Sequence, residues 1–138
     1  MAAGPIAQLG ITFRFDSIPF CLAHGGIHPQ NLLVRKVQHV QHAEWQLSGV
    51  IDFAHNLIRP APYDWLGPVC FMVQGQSARL EALFQGYGLD LGCVTGIGKA
   101  MLALLFLHRY SNPNFQICIP HWREANDLDA LADLVWPA

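Results

Sequence analysis

Charge is scarce in this sequence. Asp, Glu, Lys and Arg make up only 13% of the 138 residues, against a usual share of about 25%. Apolar residues make up 52%, and the formal net charge is -2 with no block of either sign. Nothing therefore points to nucleic acid or an anionic membrane as a partner. Long apolar runs are also missing: the longest, Ala100 to Leu107, falls well short of the roughly 20 residues that span a bilayer. Cys-x-x-Cys spacing is absent. Cys21, Cys70, Cys93 and Cys118 stand far apart in apolar surroundings, as reduced, mostly buried thiols do and zinc or redox pairs do not. Met1 to Pro5 lacks the basic and apolar regions of a secretory signal, so a cytoplasmic location is expected. Little charge and much apolar surface fit one partial domain, residues 1–138, that buries an extra face against another part of a larger protein.

No internal repeat is present. Ile11 to Phe15 alternates weakly as a strand would, and Asp16 to Pro19 reads as a turn. Leu22 to Asn31, dense in Gly, His and Pro, predicts a loop. Strands are predicted over Leu32 to Val37 and Trp45 to Ile51, joined by a polar stretch rich in Gln and His. From Tyr63 the period becomes helical. Helices are predicted over Asp64 to Gln74, over Ser77 to Tyr87 with Ser77 as N-cap, and over Gly98 to Tyr110. The third is apolar nearly all round, as a buried central helix is. A last amphipathic helix, Asn126 to Trp136, would turn Leu128, Leu131, Leu134 and Val135 inward and Asp127, Asp129 and Asp133 outward, with Pro137 ending it.

Three short segments carry the chemistry: His24-Gly25-Gly26-Ile27-His28-Pro29-Gln30-Asn31, then Val50-Ile51-Asp52-Phe53, then Pro62-Tyr63-Asp64-Trp65. In this order and spacing they resemble the catalytic core of the aminoglycoside phosphotransferases and the related choline kinase-like family of small-molecule kinases. The resemblance is strongest from Leu22 to Gly67 and compatible through the helices to Trp136. It implies an α+β, mainly helical fold, the C-terminal lobe of a protein-kinase-like domain. Residues 22–67 would form catalytic loop, hairpin and metal-binding turn, and residues 68–138 a subdomain of about four helices. Phosphoryl transfer to a hydroxyl needs positioning and charge neutralisation more than covalent help. A loop carboxylate orients the hydroxyl, an amide oxygen five residues on holds magnesium, and a carboxylate on the next strand turn holds magnesium against the nucleotide phosphates. By resemblance, Asn31 and Asp52 are the magnesium and nucleotide ligands, ATP and Mg the cofactors, and a small-molecule hydroxyl the substrate. His24 would brace the loop, and Asp64 would cap a helix and tie the loop down.

Two departures bear on activity. The family has its catalytic Asp at the position of Gly26, and glycine can neither orient a hydroxyl nor take its proton. Acid–base help of that kind is worth roughly 10²–10⁴ in rate. His28, two residues on, is a remote stand-in. Secondly, only 23 residues precede His24, and they hold no Gly-rich loop and no strand lysine, while Lys36 and Lys99 fall in the wrong places. The resemblance thus implies that the N-terminal nucleotide lobe is absent, leaving the adenine site with one wall. The expected function is that of a truncated, catalytically impaired family member; the alternative is a non-catalytic, pseudokinase-like binding or interaction module. Restoring Gly26→Asp alone is expected to give no robust activity, and an exposed apolar face would favour self-association.

Other residues have plainer readings. Asp52 also reads as a turn cap after a buried strand, and Asn31 as a loop brace. Trp65 and Phe71 read as core. His39 and His42 have the spacing of half a zinc site, but with no cysteine pair beside them they and His55 read as solvated histidines. His108-Arg109-Tyr110 would close the buried helix, where cations suit the dipole. Glu124, Asp127, Asp129 and Asp133 read as a solvated face, or as a contact for polycationic substrates by family resemblance.

Overall fold

The computed structural model describes residues 19–89 and 96–137, and in it two short antiparallel strand pairs lead into a helical layer, an α+β arrangement. The strand expected at 11–15, the turn expected at 16–19 as far as residue 18, and Cys93 lie outside the described residues. Strand β1, Phe20–Ala23, pairs with β4, Leu57–Pro60; β2, Leu32–Gln38, pairs with β3, Ala43–Val50. The β2–β3 hairpin lies close to the two predicted strands, in register from Leu32 opposite Val50 to Gln38 opposite Ala43, with an irregularity between Leu33 and Val34. The β1–β4 pair corrects the expectation that Leu22 opens a loop: Leu22 and Ala23 are strand, opposite Ile58 and Leu57. Each partner is only four residues long, too short for alternation to be read from sequence.

The predicted helix Asp64 to Gln74 begins earlier and changes pitch. A 3₁₀ turn, Ala61–Trp65, runs into α1, Leu66–Pro68, and then a π turn, Val69–Val73. Pro68 lacks the N–H that an α ladder needs, and the tract stops at Gln74, whose φ is 52°. Helix α2, Ser77–Gly86, has Gln76 rather than Ser77 as its N-cap: the Gln76 carbonyl accepts from the amides of Arg79 and Leu80. Helix α3, Gly98–Leu107, is the predicted central helix and buries Ala100, Met101, Leu102 and Leu105. It ends three residues before Tyr110, because His108 adopts an extended conformation (φ -61°, ψ 137°). A single turn, α4, Pro113–Gln116, follows, unpredicted, with proline at its start. The last helix, α5, is Leu128–Val135, and Asp127 caps it by accepting from the amide of Ala130 at 2.8 Å. Leu128, expected inward, is 47% exposed, since as the first helical residue it falls outside the Leu131–Ala132–Val135 stripe.

The helices alone build the core. Its largest fully buried side chains are Phe84, Leu80, Met101, Leu105, Val69 and Val73. Trp65 joins it as expected, packing edge-on against Phe84 at 5.0 Å, whereas Phe71 only lines its rim. The strands contribute little: Phe20, Leu22, Val34, Trp45, Leu47 and Ile58 are each more than half exposed. Of the described cysteines, Cys70 is buried, but Cys21 and Cys118 are exposed, so the expectation of mostly buried thiols fails for these two. No described helix is long and apolar enough to cross a membrane.

Gly67 fixes how closely α1 approaches the loop before Asn31. A Cβ there would overlap the carbonyl oxygen of Ile27 and lie 2.9 Å from its carbonyl carbon. Gly67→Ala is therefore expected to cost about 1–3 kcal/mol in urea unfolding, as overpacking does. Gly86→Ala, whose Cβ would meet nothing within 4 Å, should instead be neutral or stabilising by up to about 1 kcal/mol. Equal effects for the two would refute the close approach of α1 to the loop.

Candidate functional site

The site is built around one carboxylate. Asp64, in the 3₁₀ turn ahead of α1, accepts from two successive backbone amides across the fold. His24 N–H donates to Oδ2 and Gly25 N–H to Oδ1, each at 2.8 Å. Hydrogen bonds to an ionised acceptor are roughly twice as strong as neutral ones. Both oxygens are spent on the loop, and no side-chain cap to the helix forms. The expected tie is thus present and the expected helix cap is not.

His24 and Asn31 close the loop from inside, and both are buried. His24 Nε2 lies 2.9 Å from the Ile51 carbonyl, while the Gly26 amide donates to Nδ1 at 3.2 Å. Those partners fix the neutral tautomer with its proton on Nε2, and Phe53 covers the ring at 4.4 Å. Both nitrogens are engaged in bracing, as expected of this residue. The Asn31 amide donates to the Gly26 carbonyl at 2.8 Å and lies 3.1 Å from His28 Nε2. Gly25 must be glycine: its φ is +74°, and a Cβ would sit 2.5 Å from the His55 carbonyl oxygen. Gly26 is different. A Cβ there would meet Asn31 Nδ2 and His24 Nδ1 at 3.7 Å, ordinary contact, and its φ is not left-handed. The backbone accepts a side chain at the position where the resemblance places an Asp.

Asp52 lies one residue beyond the hairpin's last ladder bond, in which the Ile51 amide donates to the Asn31 carbonyl at 3.0 Å. Its φ of 63° is left-handed, a conformation Asp tolerates better than most residues. The carboxylate is exposed, caps nothing and has no hydrogen bond among the described residues. The turn-cap reading is therefore not realised. Asn31 Oδ1 likewise has no hydrogen bond among the described residues. Asp52 directly follows the residue whose amide pairs with the Asn31 carbonyl, and an amide oxygen and a carboxylate are hard-oxygen donors of the kind magnesium takes. Asn31 and Asp52 fit that ion by donor chemistry.

A cavity of about 280 Å³ opens on the other side of the loop, walled by Gly26, His28, Tyr63, Cys70, Phe71 and His108 among others. Gly26, His28 and Tyr63 sit inside the motif segments, whereas Cys70, Phe71 and His108 come from the helical half and gave no sequence signal of a cavity. The Asn31 amide offers only hydrogens, so His28 Nε2 accepts and the proton of neutral His28 is on Nδ1. That Nδ1 is buried and has no partner among the described residues. Burial pushes the Cys70 thiol up to about 12, with the Cys118 thiol adding to it, so Cys70 is a neutral wall atom. Burial also raises Tyr63, against the opposing pull of Arg59. His108, stacked on Tyr63 at 5.3 Å, is lowered by burial and then by His55 and Arg59. It lies beyond the end of α3 and lines this cavity instead of closing the helix dipole.

The remaining acidic positions are local. Asp127 caps α5, Asp129 pairs with Lys99 at 2.6 Å and Glu124 with His121 at 2.9 Å. None of the three lines the cavity. Comparison with known family models, with curated proteins and with solved structures returns no match.

Two outcomes follow. Asp64→Asn should cost about 2–3 kcal/mol, because the amide offers one acceptor oxygen to two buried N–H groups and turns an NH₂ on the other. Chemical denaturation measures this, and a loss below about 0.5 kcal/mol would remove Asp64 from its central place. His108, with its folded pKa below the unfolded value, supports the fold fully above about pH 6.5 and loses that contribution as pH falls through its folded pKa. Thermal unfolding between pH 7.5 and 5 should therefore fall less steeply for His108→Gln than for the wild type. Parallel profiles would contradict the assignment.

Proposed function

We propose that this chain is the C-terminal lobe of an aminoglycoside phosphotransferase-like kinase domain that keeps the metal-binding half of the site and has lost its catalytic base. The observation that carries this reading is the loop itself. Asp64 holds two of its amides, His24 locks it to Ile51, and Asn31 closes it over Gly26. A glycine-rich loop tied by this many polar bonds is far more than a bare connection requires. Two oxygen donors, on Asn31 and Asp52, belong to segments joined by the backbone bond from Ile51 to Asn31.

On this reading Asn31 and Asp52 would hold magnesium, which neutralises phosphate charge when nucleotide is bound. His24, Asn31 and Asp64 keep the loop in place. Gly26 supplies no base, so any transfer from ATP to a hydroxyl is slow. The cavity beside Gly26 is where the acceptor would lie, and its chemistry narrows the acceptor class. Asp64 is its one described carboxylate, and both oxygens are already used. His28, Phe71, Tyr63 and His108 contribute rings to the wall. A neutral or anionic acceptor with a flat apolar part suits such walls, and a polycation does not. The exposed Trp45, Leu47, Phe20 and Ile58 support a lobe that packs under further protein, whether the rest of a longer kinase or a second copy. The second reading, a binding module without catalysis, is favoured by Gly26 alone.

The test is thermal unfolding with ATP and magnesium against ATP and EDTA, on the wild type and Asp52→Asn. A ligand that binds only the folded state stabilises it by about 2.7 kcal/mol at a hundredfold excess over Kd. A magnesium-dependent rise that Asp52→Asn removes is expected. No shift in a folded sample, or one indifferent to Asp52→Asn, would overturn the kinase-lobe reading. Gly26→Asp should fold normally and still show no robust ATP turnover.

A further inference from the structure

The far end of the β2–β3 hairpin carries a second group of donors. His39 follows β2 directly, His42 precedes β3, and Glu44 is the second residue of β3. The turn between them is closed by the His39 amide donating to the His42 carbonyl at 2.8 Å. That closure brings the two imidazoles face to face, with centroids 4.7 Å apart and planes 18° from parallel. His39 Nε2 lies 3.4 Å from Glu44 Oε1. One ligand atom from each of the three residues falls within 4.8 Å of the others.

We propose that this hairpin tip is a zinc site, with His39, His42 and Glu44 as its protein ligands and a fourth position open to water or an external ligand. In a tetrahedral site with bonds of about 2.0–2.1 Å, neighbouring ligand atoms sit roughly 3.4 Å apart. The His39–Glu44 spacing already equals that edge, and the widest spacing, 4.8 Å, needs only a rotation of an exposed imidazole to close. Gln46 Nε2 donates to Glu44 Oε1 at 2.6 Å, orienting the carboxylate as outer partners of metal ligands do. Two imidazoles with one carboxylate select a borderline transition ion, whereas magnesium takes oxygen donors. All three side chains are exposed, so the ion can enter freely. An ion bridging both strands would also pin the register of a hairpin that has little core beneath it.

This site is independent of the proposed kinase reading. Asn31 and Asp52 lie at the hairpin's open end, eight residue steps from His39 and from Glu44 respectively, or about 27 Å at roughly 3.4 Å per step. The experiment is calorimetric titration of the folded chain with zinc chloride at pH 7.5 in a non-chelating buffer, with reducing agent that does not bind zinc. A parallel titration with cobalt(II) follows the visible absorption of a tetrahedral nitrogen–oxygen site. The wild type should bind one equivalent, and His39→Ala or His42→Ala should each weaken binding by about tenfold or more, with Glu44→Gln weakening it less. His121→Ala, at the exposed His121–Glu124 pair, should leave it unchanged. Since these side chains lie outside the core, circular dichroism of the variants should match the wild type. Zinc binding equal in wild type and a His39→Ala, His42→Ala double variant would overturn the proposal and move the ion to the exposed thiols or other histidines. So would the absence of binding in the wild type.

Discussion

A carboxylate between two backbone amides is the constraint on which the rest of this structure hangs. Asp64 stands forty residues from His24 along the chain, so its bonds to His24 and Gly25 close a long segment that includes the whole hairpin. Closing such a segment is entropically unfavourable, and β1–β4 pairing over four residues on each side is a small return. The charge-assisted pair makes up the difference at one point. With the loop fixed there, Gly25 can take its left-handed turn beneath the His55 carbonyl, His24 can reach Ile51, and Asn31 can fold back on Gly26. Gly67 completes the arrangement, because only a glycine lets α1 approach the Ile27 carbonyl this closely.

The parts of this fold that were legible in the sequence are those where one signal governed a long stretch. The hairpin followed from two short strands around a polar stretch, α3 from being apolar nearly all round, and α5 from its stripe, although Asp127 was read as a solvated face and not as its cap. The bracing by His24 and Asn31 and the tie made by Asp64 were legible too, through the resemblance that their segments carry. What was hidden depended on contacts distant in sequence. β1 and β4 exist through each other, and neither has a period of its own. The end of α3 is set at His108, where the chain turns so that the ring stacks on Tyr63, and nothing in the run from Gly98 announces it. Gln76 displaced Ser77 as cap because its carbonyl, not a side-chain oxygen, serves the first amides. The cavity was the least legible part, since no segment alone contains its walls.

The scarcity of charge and the wealth of apolar residues resolve into two places. The helices consume part of the apolar share in a closed core around Phe84, Met101 and Leu105. The rest lies on strands that are largely bare, Trp45 and Phe20 most of all. Histidine fills the polar roles that charged residues hold elsewhere: His24 braces the loop, His28 and His108 line the cavity, and His39 with His42 shapes the hairpin tip. A neutral imidazole can donate on one nitrogen and accept on the other, and each of these rings is placed by its partners in a definite tautomer or stack. That economy lets a site rich in polar contacts exist with Asp64 as the only carboxylate among the described residues of the cavity wall.

Gly26 then acquires a specific meaning. Gly25 and Gly67 are glycines that the geometry demands, by left-handed backbone in one case and close approach in the other. Gly26 is not demanded by either. Its φ suits any residue, and the space around a Cβ would accept one at ordinary contact distances from Asn31 and His24. Steric selection therefore does not account for glycine here, and the surrounding bonds do not depend on it, since they use its amide and carbonyl alone. On the proposed kinase reading, a loop with these polar supports around an empty side-chain position keeps its architecture without a base. Folding and activity would then separate at a single residue, because the bonds to His24 and Asn31 use only the amide and carbonyl of Gly26.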